Sequence, residues 1–130
     1  MDGRDEFQYA LLRVVPDVER GEKLNAGVVV YSRTRGFLAA RVSLDEARLR
    51  ALAPQTDADA VRRHLEGLVR VAEGDPSGGP IAALPQSERF GWLTATSSTI
   101  VQPSAIHTGL SDDPRALLDR LFDRLVAPPA

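Results

Sequence analysis

The chain opens on positions that alternate with a period of two. Residues 7–15, "FQYALLRVV", are aromatic and β-branched, and Pro16 follows with no N–H to give to a ladder. This predicts a first strand ending at Val15. "AGVVVYS" at 26–32 predicts a second strand, Thr34–Arg35–Gly36 a tight turn, and "FLAARVS" at 37–43 a third. Short strands joined this way form an antiparallel meander. Alternation sends Tyr9, Leu11, Arg13 and Val15 to one side of the first strand, and Ala10, Leu12 and Val14 to the other. Arg13 and Arg41 thus interrupt apolar strands, either on a solvated face or held there by a carboxylate.

Helical spacing takes over next. Ser43 and Glu46 have the spacing of a capping box for a helix over 44–52, which Pro54 stops. Asp57 caps a second helix over 58–73, where Val61, Leu65, Leu68 and Ala72 share one face. "GDPSGGP" at 74–80 is a loop by composition. "FGWLTAT" at 90–96 and "STIVQPS" at 98–104 each suit a strand, and Pro103 ends the second. Asp113 as N-cap and Pro114 at the first helical position open a last helix with a broad apolar face of Leu117, Leu118, Leu121, Phe122, Leu125 and Val126. The predicted class is α+β: a mainly antiparallel sheet, the meander plus later strands, with about three helices on one face. The 130 residues suit one domain, 1–130.

Composition narrows the chemistry. The chain has no cysteine, which excludes a disulfide framework, a thiolate metal site and a cysteine nucleophile, and fits a reducing cytoplasm. The acidic start is unlike a secretory signal, and no run approaches the roughly 18 apolar residues of a membrane span. A cytoplasmic protein with no membrane partner is expected. A formal net charge of −2 gives no global attraction for nucleic acid. Residues 33–50 do carry five arginines against Asp45 and Glu46, with only Tyr31 and Phe37 nearby for stacking. A nucleic-acid-binding module is one alternative on that account.

Two polar stretches stand out. Between the first two strands lie Glu19, Arg20, Glu22 and Lys23, with Gly21 and Asn25 supplying turn chemistry. These charges either solvate the hairpin end or fold back on Arg13, Arg41 or Arg89. The expectation is that they lock the hairpin to the second polar stretch and leave a cleft between them. That second stretch holds Ser97, Ser98, Thr99, Gln102, Ser104, His107 and Thr108. Hydroxyls and loop N–H groups can hold an anion. The expected ligand-binding set is Glu19, Arg20, Asn25, Arg89, Ser98, Thr99, Gln102 and His107. A second alternative is a small hydrolase or transferase acting on a phosphate or acyl ester. Ser98 or Ser104 would be its nucleophile and His107 its base, although no Gly-x-Ser-x-Gly elbow is present. His64 is expected at the edge of its helix face without a role, and Trp92 in the core. The two histidines lack metal-site spacing, and neither a Walker loop nor Gly-x-Gly-x-x-Gly occurs. No metal or cofactor is expected.

Taken together, "LLRVVPDVERGEKLNAGVVVYS" and "RFGWLTATSSTIVQPSAIHTGLSDDP" resemble the two signature blocks of the bacterial domain-of-unknown-function family 3037. The family's Pro-x-x-Glu-Arg-Gly-Glu-x-x-Asn-x-Gly pattern is carried here by Pro16, Glu19, Arg20, Gly21, Glu22, Asn25 and Gly27. Many relatives have Ala-Pro-Arg-Ser-Thr where this chain reads Ala95 to Thr99, so the arginine is replaced by Ser97. If that arginine holds an anion in relatives, the contact is lost here. The resemblance implies no activity. It does imply a partner, because family members are often encoded beside a HipA-like kinase. The resulting expectation is a non-enzymatic binding or accessory module.

Overall fold

The first predicted strand is the hub of the sheet in the computed structural model, which describes residues 3–97 and 99–128. β1 (Asp5–Val14) pairs antiparallel along one edge with β2 (Leu24–Ser32), which pairs in turn with β3 (Phe37–Val42). Its other edge takes β4 (Val101–Pro103) opposite Leu12 to Val14, and β5 (His107–Ser111) opposite Asp5 to Tyr9. The result is a five-stranded antiparallel sheet containing the predicted meander. With α1 (Glu46–Leu52), α2 (Ala58–Glu73), α3 (Gln86–Leu93) and α4 (Pro114–Leu125), the class is α+β, as the pattern implied.

The helices do not share one face. Ala10, Leu12 and Val14 of β1 join Leu49 of α1, Val61 and Leu65 of α2, and Phe90 and Leu93 of α3 in one core. On the opposite face, Phe7, Val28 and Val30 pack against Leu117, Leu118 and Phe122 of α4. The reason is visible in β2. Its "VVV" run has no polar side, since Val28, Val29 and Val30 are all fully buried, so both faces need a cover. Burying a valine or leucine side chain is worth about 1.5–3 kcal/mol, and neither face can forgo it.

Two local predictions are corrected. Ser43 does not cap α1; its N–H continues the ladder to Ala26 O at 2.8 Å. Asp45 is the cap, accepting from Arg48 N at 3.1 Å, and the helix begins at Glu46. "FGWLTAT" is not a strand, because Phe90 to Leu93 close α3. As a helix, the segment buries Phe90 and Leu93, three apart, and Phe90 packs on Tyr31 with centroids 5.1 Å apart. Packing against the sheet overrides the β-propensity of the aromatic residues. Trp92 is thereby rotated off the buried stripe and is 46% exposed, not in the core.

Elsewhere the punctuation holds. Asp57 caps α2, Asp113 caps α4, and Pro114 takes the first position of α4. Two short 3₁₀ turns, Pro76–Gly78 and Pro80–Ala83, carry the chain from α2 to α3. Asp75 caps the first of them, accepting from Ser77 N and Ser77 Oγ, each at 2.9 Å.

A bulge breaks the β1–β2 register. Leu12 pairs with Gly27, but Arg13 pairs with Asn25, leaving Ala26 extra. Ala26 joins the α1–α3 core. A Cβ on Gly27 would meet Leu12 Cβ at 3.2 Å and Val42 Cγ1 at 2.9 Å, so only glycine fits there without a shift. Gly109 of β5 is tighter still, because the Phe7 ring lies across it.

Two outcomes follow from these contacts. Gly109→Ala should lower the unfolding free energy by about 1–3 kcal/mol, as overpacking does. A hypothetical Cβ stands 2.7 Å from Phe7 Cζ, and an unchanged urea midpoint would mean that the ring is not held there. The Asp75 carboxyl is held below its ordinary 3.8, first by the Ser77 N–H and then by the Ser77 hydroxyl. A depressed value adds stability above the ordinary value and loses it as pH falls through the folded one. Wild type and Asp75→Ala should therefore differ in Tm at neutral pH and converge in acid, as melting curves across pH would record.

Candidate functional site

The bulge decides what faces Arg13. With a regular register Arg13 would stand opposite Ala26; instead it stands opposite Asn25 on β2 and Gln102 on β4. Residues paired across strands point to the same side of a sheet, so Asn25, Arg13 and Gln102 form one polar row. The row lies on the α4 side, because Asn25 Nδ2 donates to Leu125 O at 3.1 Å. Gln102 Nε2 donates back to Thr99 O at 3.1 Å.

The α4 helix covers only part of this face. It packs over β2 and β3, fixed by Arg41, whose Nη1 bonds Asp119 Oδ1 at 2.9 Å and whose guanidinium lies 4.0 Å from the Phe122 ring centroid. On the β1 side, Tyr9, Leu11 and Arg13 are only partly buried. Tyr9 stacks on His107, directly opposite on β5, with centroids 5.0 Å apart. The open half of the face is thus an aromatic and aliphatic ledge ending in the polar row. Arg13 Nε is out of reach of solvent there and has no hydrogen-bond partner among the described residues. Of the two sequence expectations for Arg13, the face is only half solvated, and no carboxylate among the described residues pairs with it.

The expected ligand set is only partly gathered. Asn25 and Gln102 meet across Arg13, and Thr99 is tied to Gln102. His107 is on the same face, but opposite Tyr9, five residues back along β1 from Val14 and hence about 16 Å from the 15–23 turn. Glu19 and Arg20 stay in that turn. Arg20 Nε bonds Glu22 Oε1 at 2.5 Å, and Glu22 raises the Arg20 pKa; the Arg20 side chain is 66% exposed. Glu19 N bonds Asp17 Oδ1, and Gly21 adopts φ +72°. Among the described residues, no hydrogen bond or ion pair joins Glu19, Arg20, Glu22 or Lys23 to the later polar segment. Asp17 and Glu22 sit two residues from Glu19 and Arg20, and a local bond orders far less chain than a distant one. Ser98 lies outside the described residues.

Arg89 has a different task. Its Nη1 donates to Val71 O at 3.1 Å and Ala72 O at 2.7 Å, and its Nε to Leu84 O at 2.8 Å. These are carbonyls at the C-terminal turn of α2 and in the following segment, where a cation offsets the helix dipole. Arg89 anchors α3 to α2.

Ser104 Oγ is engaged twice by backbone. It accepts from Leu11 N at 2.8 Å and donates to Ala105 O at 2.9 Å. Its proton points at a carbonyl, not at His107. Of the five arginines of 33–50, Arg35 is held by Asp5 and Arg41 by Asp119.

A cleft of ≈ 240 Å³ opens on the opposite face of the sheet. Leu12, Leu68, Leu93 and Val101 floor it, and His64, Trp92, Thr96 and Ser97 are on its rim. The sequence reading gave His64 and Trp92 no such place. The missing signal was the helix over 86–93, whose periodicity sets Trp92 apart from Phe90 and Leu93.

A family model described as "Protein of unknown function (DUF3037)" matches residues 9–126. Neither a curated protein nor a solved structure matches the chain. No helix among the described residues is long and apolar enough to cross a membrane.

Arg89→Ala should destabilise the fold by about 2 kcal/mol, since hydrogen bonds from a charged donor are worth roughly 1.5–3 kcal/mol and the site is only partly buried. Urea denaturation reads this directly. A loss within error of zero would remove the anchoring role.

Proposed function

The chain belongs to the DUF3037 family of proteins of unknown function, and we propose that it is a small, cytoplasmic, non-enzymatic binding module that takes an acidic segment of a protein partner on its open sheet face. One observation carries this reading. Arg13 keeps its Nε buried without a partner, on a half-covered face between Asn25 and Gln102. A buried unsatisfied donor costs about 1–3 kcal/mol, which a monomer gains nothing by retaining. A carboxylate delivered from outside meets that guanidinium with a charge-assisted bond. Tyr9 and Leu11 beside it supply the apolar area that a contact also needs. The HipA-like kinase implied by the family resemblance is the partner to test first.

Arg13→Met separates binding from folding. The thioether side chain keeps apolar volume on β1 and removes the stranded donor, so the isolated protein should melt at the same temperature or higher. Partner affinity, measured by calorimetry, should fall about 30-fold or more, the usual cost of stripping one member from a desolvated charge pair. Undiminished binding by Arg13→Met would sink the proposal. A large drop in Tm would instead make Arg13 a structural residue.

A further inference from the structure

The cleft on the other side of the sheet is independent of the Arg13 surface. Its floor of Leu12, Leu68, Leu93 and Val101 belongs to the α1–α3 core, so any group seated there rests on fixed apolar side chains. The rim differs. Trp92, from α3, is the single tryptophan of the chain and stands 46% exposed against this opening. The Ser97 and Thr99 hydroxyls are already committed: Ser97 Oγ accepts from Thr99 N at 3.1 Å, and Thr99 Oγ1 donates to Val101 O at 2.8 Å. The Trp92 indole N–H, the His64 imidazole and the Thr96 hydroxyl make no hydrogen bond with any described residue. The uncommitted rim therefore offers an exposed π face and donors, above an apolar base.

Size narrows the occupant. A dry cavity of about 150 Å³ holds benzene, whereas clefts for drug-sized ligands begin at roughly 300 Å³. At ≈ 240 Å³ this cleft takes one ring and a short polar substituent. We infer that it is a binding site for a free single-ring aromatic acid or amide, stacked on Trp92 with its carbonyl oxygen toward the rim donors. The ring accounts for the apolar floor, planarity for the indole wall, and the acceptor for the three free rim groups.

The test uses the full chain, with benzoate and benzamide as probes. Trp92 fluorescence and the one indole N–H resonance report on the cleft without interference from a second tryptophan. Saturable binding is expected with a Kd of about 1 mM, as befits a ligand of so few atoms. The largest amide shifts should fall at Trp92, Thr96, Ser97 and His64. Ala95 is an exposed rim residue. Ala95→Phe should therefore leave Tm unchanged and weaken binding about tenfold by filling the opening. His64→Ala, on α2, should weaken it several-fold by an independent route. Arg13→Met should not change it, which keeps this result apart from that of the sheet face. Failure of both probes to saturate overturns the inference, as does equal binding by both cleft variants. Preferential binding of N-acetylphenylalaninamide also overturns it, because the occupant would then be a peptide side chain.

Discussion

The position of β1 governs the molecule. It takes hydrogen bonds from β2 on one edge and from β4 and β5 on the other, and it buries side chains on both faces. A strand paired on both edges and packed on both faces must let its alternation feed two cores at once. Ala10, Leu12 and Val14 enter the core of α1, α2 and α3, while Phe7, Tyr9 and Leu11 turn toward α4. The edge strand made of β4 and β5 comes from the far end of the chain, and its pairing with β1 draws the C-terminal third onto the meander. Ser104 at the junction reinforces this, accepting from Leu11 N through its hydroxyl while its own N–H bonds Leu11 O.

The polar row is the place where that two-sided demand relaxes. The extra residue at Ala26 turns Asn25 toward α4 and sets it beside Arg13, and Gln102 completes the row from the other edge. The α4 helix is held over β2 and β3 by Arg41 and Asp119, and it ends near Asn25, whose amide reaches Leu125 O. The β1 half of the face is left half-covered as a result. Arg13 Nε, buried there without a partner among the described residues, is the donor that the proposed acidic segment would satisfy.

The two surfaces rest on different chemistry. The sheet ledge is a row of half-buried Tyr9, Leu11 and Arg13 with a cation at its polar end, and it carries the proposed protein contact. The cleft is small, apolar at its base and bounded by donors, which suits a single ring. α3 builds the second surface, and α3 is itself positioned by Arg89 on the C-terminal carbonyls of α2 and by Phe90 on Tyr31. Residues that looked alike in the polar blocks therefore divide by task. Arg89 and Ser104 order backbone, Arg20 closes its own turn on Glu22, and Asn25 and Gln102 frame a cation.

Local rules in the sequence determined the meander, the four-three-four face of α2, and the aspartate caps at Asp57 and Asp113. Each depends on residues a few positions apart, so the chain's own order contains the answer. Much of the candidate site was not legible in this way. Asn25 and Gln102 were visible as polar residues in turn-rich stretches, but nothing adjacent to them said that a bulge would set Asn25, and the β4 pairing Gln102, opposite Arg13. Trp92 looked like core because its neighbours are apolar, and only the docking of α3 turned it outward. The division of helices between two faces, the unpaired Arg13 and the cleft were all decided by tertiary structure. The reason is distance along the chain: Arg13 lies about 90 residues from Gln102 and Tyr9 about 100 from His107, and such contacts exist only once the sheet closes.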